Sequence, residues 1–343
     1  MSTSTTNAAA WLNEAKAHPF EVREAPLWQP EENEILVRNH AVAINPVDGG
    51  LQTRAWWPMN YPTMLGQDVA GDVVAVGPNV TRFKVGDRVL GHAVGMATKQ
   101  NQHNAFQAHT ILQINMTSEI PDNVPYENAA VLPLAFSTAC CGLFQDQFLK
   151  LQYPTEPRAS VTGSTVLVWG GASSVGSNAI QLAVAAGYEV ISTASQKNFG
   201  LVKKLGASQV FEYNSPTIAD DLIKALQGKT LAGVMDCIGF SATPICGEIV
   251  SKSEGSKFIA TVQGRFPTPP EGVEVKQVFG TTIKDNAVGK AVYDDFLPQA
   301  LKAGSFVPAP EPLIVGKGLE KIQVAVDRYA EGGISAQKLV VLL

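Results

Sequence analysis

The sequence predicts an α/β protein in which a doubly wound parallel sheet follows a β-rich first third. Three observations carry that expectation. After Thr165 short apolar runs alternate with helical periodicity, the pattern of parallel strands joined by crossover helices. Before about residue 125, runs of small and apolar residues are separated by Gly and Pro, as short strands are by turns. Between these regions Val166–Trp169 stops at Gly170-Gly171-Ala172-Ser173-Ser174-Val175-Gly176 and opens a helical pattern, a strand, a tight turn and a helix N-terminus.

Taken in order, Glu34–Val42, Asp68–Val76 and Arg88–Gly91 read as strands of the first third, the last following a Gly86-Asp87 turn. Helix periodicity begins near Asn128. Strand Val166–Trp169 leads into helix Ser177–Ala186, strand Glu189–Thr193 and helix Asn198–Leu205. Gln209–Phe211, Gly233–Cys237, Lys257–Ala260 and Glu274–Phe279 continue the strand series, and the last of them suits a sheet edge. Helices are expected near Tyr293–Ala303 and Leu319–Glu331, and Lys338–Leu342 is a closing strand suited to return to the first region. Met1–Ala10, rich in Ser, Thr and Ala and without Lys or Arg, reads as a frayed tail.

The chain has 343 residues, 45% hydrophobic and 17% charged, with a formal net charge of −5. That length suits two domains, and the balance argues against a nucleic-acid partner. No apolar run is long enough to suggest a membrane span, and the cysteine usage makes a reducing cytosol the expected compartment. Cys140, Cys141, Cys237 and Cys246 lack paired metal-ligand spacing and number too few for a disulfide scaffold. Adjacent Cys140 and Cys141 read as packing residues.

Gly171 and Gly176 hold the outer places of a G-x-G-x-x-G pattern, with Ser173 in the middle one. A turn of this kind before a helix cradles a dinucleotide pyrophosphate. About 20 residues on, where an acidic side chain binds the ribose of NAD, stands Thr193-Ala194-Ser195-Gln196-Lys197. Ser195 and Lys197 suit a 2′-phosphate instead, which favours NADP(H).

Asn45-Pro46-Val47-Asp48, then Gly66-Gln67-Asp68-Val69-Ala70-Gly71 running on to Gly77, then Val85-Gly86-Asp87-Arg88-Val89 resemble the signature of medium-chain dehydrogenases/reductases. With the glycine turn downstream, the resemblance covers almost the whole chain. It implies a GroES-like β-rich catalytic domain from residues 1–135 and 281–343, a Rossmann NADP-binding domain from 136–280, and an active site in the cleft between them. Many relatives hold catalytic zinc through Cys and His. At the aligned positions this chain has Asn45, Gln67 and Leu134, and residues 92–115 contain no Cys. His92, His103 and His109 share no ligand spacing, so no metal is expected.

The resemblance thus narrows to the zinc-free quinone and enoyl reductases and is most similar to fungal ToxD-like and trans-acting enoyl reductases. It implies that Thr138 sits by the nicotinamide, Ser173, Ser174 and Val175 at the pyrophosphate, and Ser195, Lys197 and Tyr213 at the 2′-phosphate. Relatives often carry Lys where this chain has Gly50, and some carry Tyr near position 56, where this chain has Trp56 and Trp57. Asn45 and Gln67 are candidates to stabilise a developing oxyanion, and Tyr61 or water to supply a proton. Trp56, Trp57, Met59, Tyr61 and Phe136 are candidates for an apolar pocket, although aromatic residues more often build core. The polar run Thr98–Asn104, with His103, reads as a mobile or solvent loop.

Three readings stay open at this point. The first is an NADPH-dependent reductase of a conjugated enone, an enoyl thioester or a quinone. The second is a trans-acting enoyl reductase working on polyketide intermediates tethered to an acyl-carrier protein. The third is a non-catalytic NADPH-binding protein. Either a monomer or a homodimer fits the sequence.

Overall fold

The computed structural model describes residues 6–343, which divide into two compact units. One takes the chain as far as Leu134 together with Glu311–Leu343, and the other is Ala135–Pro310.

The first unit is built on β3 (Glu34–Ala43), whose Ile35, Leu36, Val37, Val42 and Ala43 are buried. It pairs antiparallel with β5 (Asp68–Val76), β7 (His109–Gln113) and β16 (Gln337–Leu342). With β6 (Arg88–His92), β8 (Thr117–Glu119) and β15 (Glu311–Lys317) this makes a seven-stranded sheet. The terminal strand thus returns to the first region, as its sequence suggests. A smaller sheet holds β1 (Asn7–Leu12) between β2 (Glu21–Ala25) and β4 (Thr63–Met64). The frayed-tail expectation is therefore corrected for Asn7–Ala10. Ala9 and Ala10 are fully buried beside Trp11 and Leu12, because small side chains let β1 lie flat against its neighbours. Residues 1–5 of that tail lie outside the described residues.

The second unit is a six-stranded parallel sheet in the order β11-β10-β9-β12-β13-β14. Its strands are β9 (Ser164–Trp169), β10 (Glu189–Ala194), β11 (Gln209–Glu212), β12 (Thr230–Asp236), β13 (Phe258–Thr261) and β14 (Glu274–Gln277). Numbered from β9 this is the order 3-2-1-4-5-6, in which the chain reverses beside the first strand and leaves a crevice at the carboxyl ends.

The return to the first unit comes at Glu311 and not at the expected residue 281. The reason is aromatic packing within 281–310. Phe296 and Phe306 are almost fully buried, Phe306 packs on Phe136 with ring centroids 5.7 Å apart, and the Tyr293 and Ser137 hydroxyls hydrogen-bond at 2.7 Å. Phe136 is consequently core and not pocket, with no exposed surface. The helical segment Tyr126–Phe144 has the length and hydropathy of a membrane span, but 78% of it is buried, and helix is interrupted between Ala129 and Pro133. It is a core segment.

Candidate functional site

In the second unit β9 ends at Trp169, and the chain turns through Gly170 (φ +83°) into helix Ser174–Ala185. The turn admits no side chain. A Cβ at Gly176 would come 2.2 Å from the Gly170 carbonyl oxygen, and one at Gly171 would come 2.2 Å from Ser192 Oγ. Ser173 caps the helix, its Oγ accepting from Gly176 N–H at 3.0 Å. The amides of Ser174 and Val175 have no acceptor among the described residues. Two free N–H groups at the positive end of a twelve-residue helix suit a pyrophosphate. The residues present therefore fit a dinucleotide.

Ser195 and Tyr213 each follow a paired end of the adjacent strands β10 and β11, where Ala194 lies opposite Glu212, and Lys197 comes two residues after Ser195. Lys197 and Tyr213 are exposed, and Tyr213 N–H reaches back to the Ala194 carbonyl. Ser195 Oγ accepts from Asn198 Nδ2 at 3.2 Å. One residue overlooked in the sequence is Glu212. Its carboxylate accepts from Gln196 N–H at 2.7 Å, so an acidic side chain does stand beside the segment that carries Ser195 and Lys197. It escaped notice because it arrives on the next strand, not on the one that carries the fingerprint. Thr138, on helix Pro133–Phe144, lies against Gly280, where a Cβ would meet Thr138 Oγ1 at 2.9 Å.

The first unit holds the other candidates. Asn45 precedes helix Pro46–Arg54, and its N–H donates to Asp48 Oδ2 at 2.8 Å. Its side-chain Nδ2 donates to Asp68 Oδ2 at 2.7 Å. The buried Asp68 also accepts from the Leu134 N–H at 2.6 Å and pairs with Lys338 Nζ at 2.6 Å. Lys338 in turn donates to the Val131 carbonyl at 3.2 Å. Here Asn45 and Leu134, two of the positions aligned with zinc ligands in relatives, meet around a carboxylate that already holds an ammonium. Gln67 is the third. Neither thiolate nor imidazole is offered by any of the three, and a metal would have to displace Lys338 from Asp68, so the residues present do not fit a catalytic zinc. His92 Nε2–H donates to Gln67 Oε1 at 3.2 Å. Burial, only partly offset by Asp68, pushes the His92 imidazole down to about 4, so it is neutral at ordinary pH. Among the described residues no cluster of three or more metal-ligating side chains occurs.

Beside this cluster lies a pocket of about 100 Å³. Leu51, Trp57, Met59 and Met96 give it apolar walls, and Asp48 and Gln67 also line it. The structure therefore separates the sequence candidates. Gln67 lines the pocket, and its amide nitrogen donates to no acceptor among the described residues. Asn45 does not line the pocket, because its amide is spent on Asp68. Tyr61 does not line it either. Its flanking residues do, while Tyr61 packs against the hydrophobic core. Trp56 is 48% exposed and meets Trp57 edge-on at 5.7 Å. A Cβ at Gly50 would come within 2.8 Å of Arg54 Nη2 and 3.2 Å of Trp56 Nε1, so these two side chains fill the space where relatives carry Lys.

Residues of the 95–104 segment form a further wall, and the solvent-loop expectation is corrected. His103 is buried, its Nε2 lying 2.7 Å from Glu34 Oε1 and its Nδ1 3.0 Å from Thr98 Oγ1. Asn101 Oδ1 accepts from Met64 N–H and Thr63 Oγ1. Thr98, Asn101, His103 and Asn104 serve a fixed wall because each finds a partner. All four cysteines are free and buried, and burial raises their thiol pKa values, as packing residues require.

Residues 31–120 match the family model of the alcohol dehydrogenase GroES-like domain, and 174–283 match that of the zinc-binding dehydrogenases. The zinc-binding alcohol dehydrogenase domain-containing protein cipB of Emericella nidulans is 65% identical over the full length of both chains. The trans-enoyl reductase himH of Aspergillus japonicus is 41% identical over 98% of both. Among solved structures, an alcohol dehydrogenase superfamily protein from Novosphingobium aromaticivorans superposes with a TM-score of 0.80 at 25% identity, covering 99% of this chain and 100% of the other. The GroES-like sheet, the Rossmann order of the second sheet and these full-length matches agree, and the chain belongs to the medium-chain dehydrogenase/reductase superfamily.

Proposed function

We propose that the protein is a zinc-independent, NADPH-dependent reductase acting on the conjugated C=C of an enone or enoyl thioester, or on a quinone. The observation that carries this reading is the donor set at the aligned metal positions. Asn45, Gln67 and Leu134 supply no zinc ligands, and Lys338 already neutralises Asp68. Without a Lewis acid, alcohol oxidation loses its usual means of polarising oxygen. A conjugated acceptor needs less help, because its own π-system takes up the charge as an enolate.

When bound, the reduced nicotinamide supplies the hydride. The chain's part is to hold and orient it. Ser174 and Val175 amides would bind the pyrophosphate, and Thr138 would stand beside the nicotinamide. Ser195, Lys197 and Tyr213 would hold the 2′-phosphate, with Glu212 kept aside by the Gln196 amide. Gln67, with a free NH₂ on the pocket, would donate to the substrate oxygen. A carrier-tethered substrate is a second reading, favoured by the 41% identity to a trans-enoyl reductase.

The test is NADPH consumption against a panel of enones, 2-enoyl thioesters and quinones, with NADH and EDTA arms. Turnover that prefers NADPH and survives EDTA is expected. Loss of turnover in EDTA that is restored by zinc would overturn the zinc-free reading. Thioesters accepted only when loaded on a carrier protein would select the tethered substrate.

A further inference from the structure

Ser195 stands just before the short turn Gln196–Asn198, a place from which a serine commonly accepts the first free amides. It does not do so here. Its Oγ accepts from Asn198 Nδ2 at 3.2 Å, and the first amide of the turn, Gln196 N–H, goes instead to Glu212 Oε2 at 2.7 Å. The other carboxylate oxygen, Oε1, accepts from Asn214 N–H at 3.4 Å. One side chain thus straps the segment leaving β10 to the segment leaving β11. The strap lies at the end of the strand register, where Ala194 is opposite Glu212 and Tyr213 N–H reaches the Ala194 carbonyl. Donors are left unspent on both segments. Ser195 O–H, Lys197 Nζ and Tyr213 O–H donate to no acceptor among the described residues, and Lys197 forms no ion pair with Glu212.

Resting on the NADPH reading above, we propose that Glu212 is a positioning residue for the 2′-phosphate: through the Gln196 and Asn214 amides it holds Ser195 and Lys197 in register with Tyr213, and so sets the preference for a 2′-phosphate without touching it. A bare carboxylate beside a phosphate repels it. Backbone N–H groups directed at Glu212 offset that charge through charge-assisted hydrogen bonds, and Lys197 stays available for an anion because Glu212 is engaged elsewhere. The acidic residue that selects NAD stands on the second strand and accepts from the ribose 2′-hydroxyl. Glu212 comes from β11, and both of its oxygens already serve backbone amides. The same residue type thus serves the opposite preference, because its charge is spent on fixing the two segments.

The experiment is calorimetric titration of the whole protein with adenosine 2′,5′-bisphosphate and, as the matched probe lacking the 2′-phosphate, adenosine 5′-monophosphate. Neither fragment carries a nicotinamide, so binding is read without turnover. The wild type should bind the bisphosphate more tightly. Glu212→Ala cuts the strap and should weaken the bisphosphate roughly tenfold, the size of one lost charge-assisted hydrogen bond, while the monophosphate changes less than about twofold. Glu212→Gln keeps an acceptor for Gln196 N–H and should restore most of the loss. An Ala variant that binds the bisphosphate as tightly as the wild type, or more tightly, would show that the carboxylate only opposes the phosphate and would overturn the proposal. So would an equal loss for both fragments, or a Gln variant as weak as the Ala variant. A wild type that binds the two fragments alike would defeat the NADPH reading and the proposal with it. The two failures are told apart because the first is read in the variants and the second in the wild type.

Discussion

Two buried polar clusters sit side by side in the first unit, built from residues that are near neighbours in sequence. Asn45 belongs to one and Asp48 to the other, and Asp68 to one and Gln67 to the other. Around Asp68 the bonding is closed. Both oxygens are occupied, and Lys338 is shared between Asp68 and the Val131 carbonyl. Around the pocket it is open. Asp48 keeps one bare oxygen, Trp57 a bare N–H and Gln67 a bare NH₂. The difference teaches how to separate structure from function in a polar interior. A closed cluster holds strands together, whereas an open one carries a desolvation cost that only a ligand relieves.

The largest effect should come from opening the closed cluster. Lys338→Met would leave Asp68 as an uncompensated buried carboxylate, and we expect a loss of about 3–5 kcal/mol in urea unfolding at neutral pH. Adding Asp68→Asn to Lys338→Met removes the stranded charge and should recover much of that loss. A single substitution costing as little as the double would mean that the ion pair is not what joins β16 to β5 across β3.

Asp48 should behave in the opposite sense. Its folded pKa is raised from 3.8 to about 7, so the folded state binds the proton more tightly than the unfolded one. Its contribution is fully present below about 3.8 and is lost as pH rises through about 7. A shift of that size sets a ceiling of roughly 4 kcal/mol, and relaxation around the ionised group should leave about 2 kcal/mol. Asp48→Asn should therefore unfold at higher denaturant than the wild type at pH 8, with the advantage gone at pH 4. An advantage independent of pH would show that packing, not ionisation, sets the difference. Asp72 provides the control. Burial opposes its ionisation, but hydrogen bonds from Tyr126, His40 and Arg38 outweigh it and hold the carboxyl at about 2. Its contribution is lost as pH falls from about 3.8 to about 2, the reverse direction.

The closed and open clusters also mark the limit of what the sequence conveys. The strand–glycine–helix unit and the parallel series after Thr165 were legible because period and turn chemistry are local. So was the mismatch of Asn45, Gln67 and Leu134 with zinc, which concerns residue type alone. Lys338 was read only as the start of a closing strand, because its pairing with Asp68 depends on β16 and β5 flanking β3. The same holds for Glu212, brought beside Gln196 by the parallel register of β10 and β11, and for His103, whose partner Glu34 lies on β3. Phe136 and Tyr61 misled because an aromatic side chain looks the same in sequence whether it faces a cavity or a core. Trp57 was named for its ring, but the feature that singles it out is an N–H with nothing to accept it.

The smallest effect tests whether the wall beside the open cluster is held as firmly as the closed one. His103→Gln keeps one neutral donor toward Glu34 but loses the bond to Thr98. A cost of about 1 kcal/mol is expected, with faster amide exchange confined to 98–104, beside the pocket that Met96 and Asn101 line. Slow exchange in the variant would mean that Asn101, through Thr63 and Met64, fixes the wall alone. In that case the Glu34–His103–Thr98 chain would belong with the closed cluster, as structure, and the open cluster would reduce to Asp48, Trp57 and Gln67.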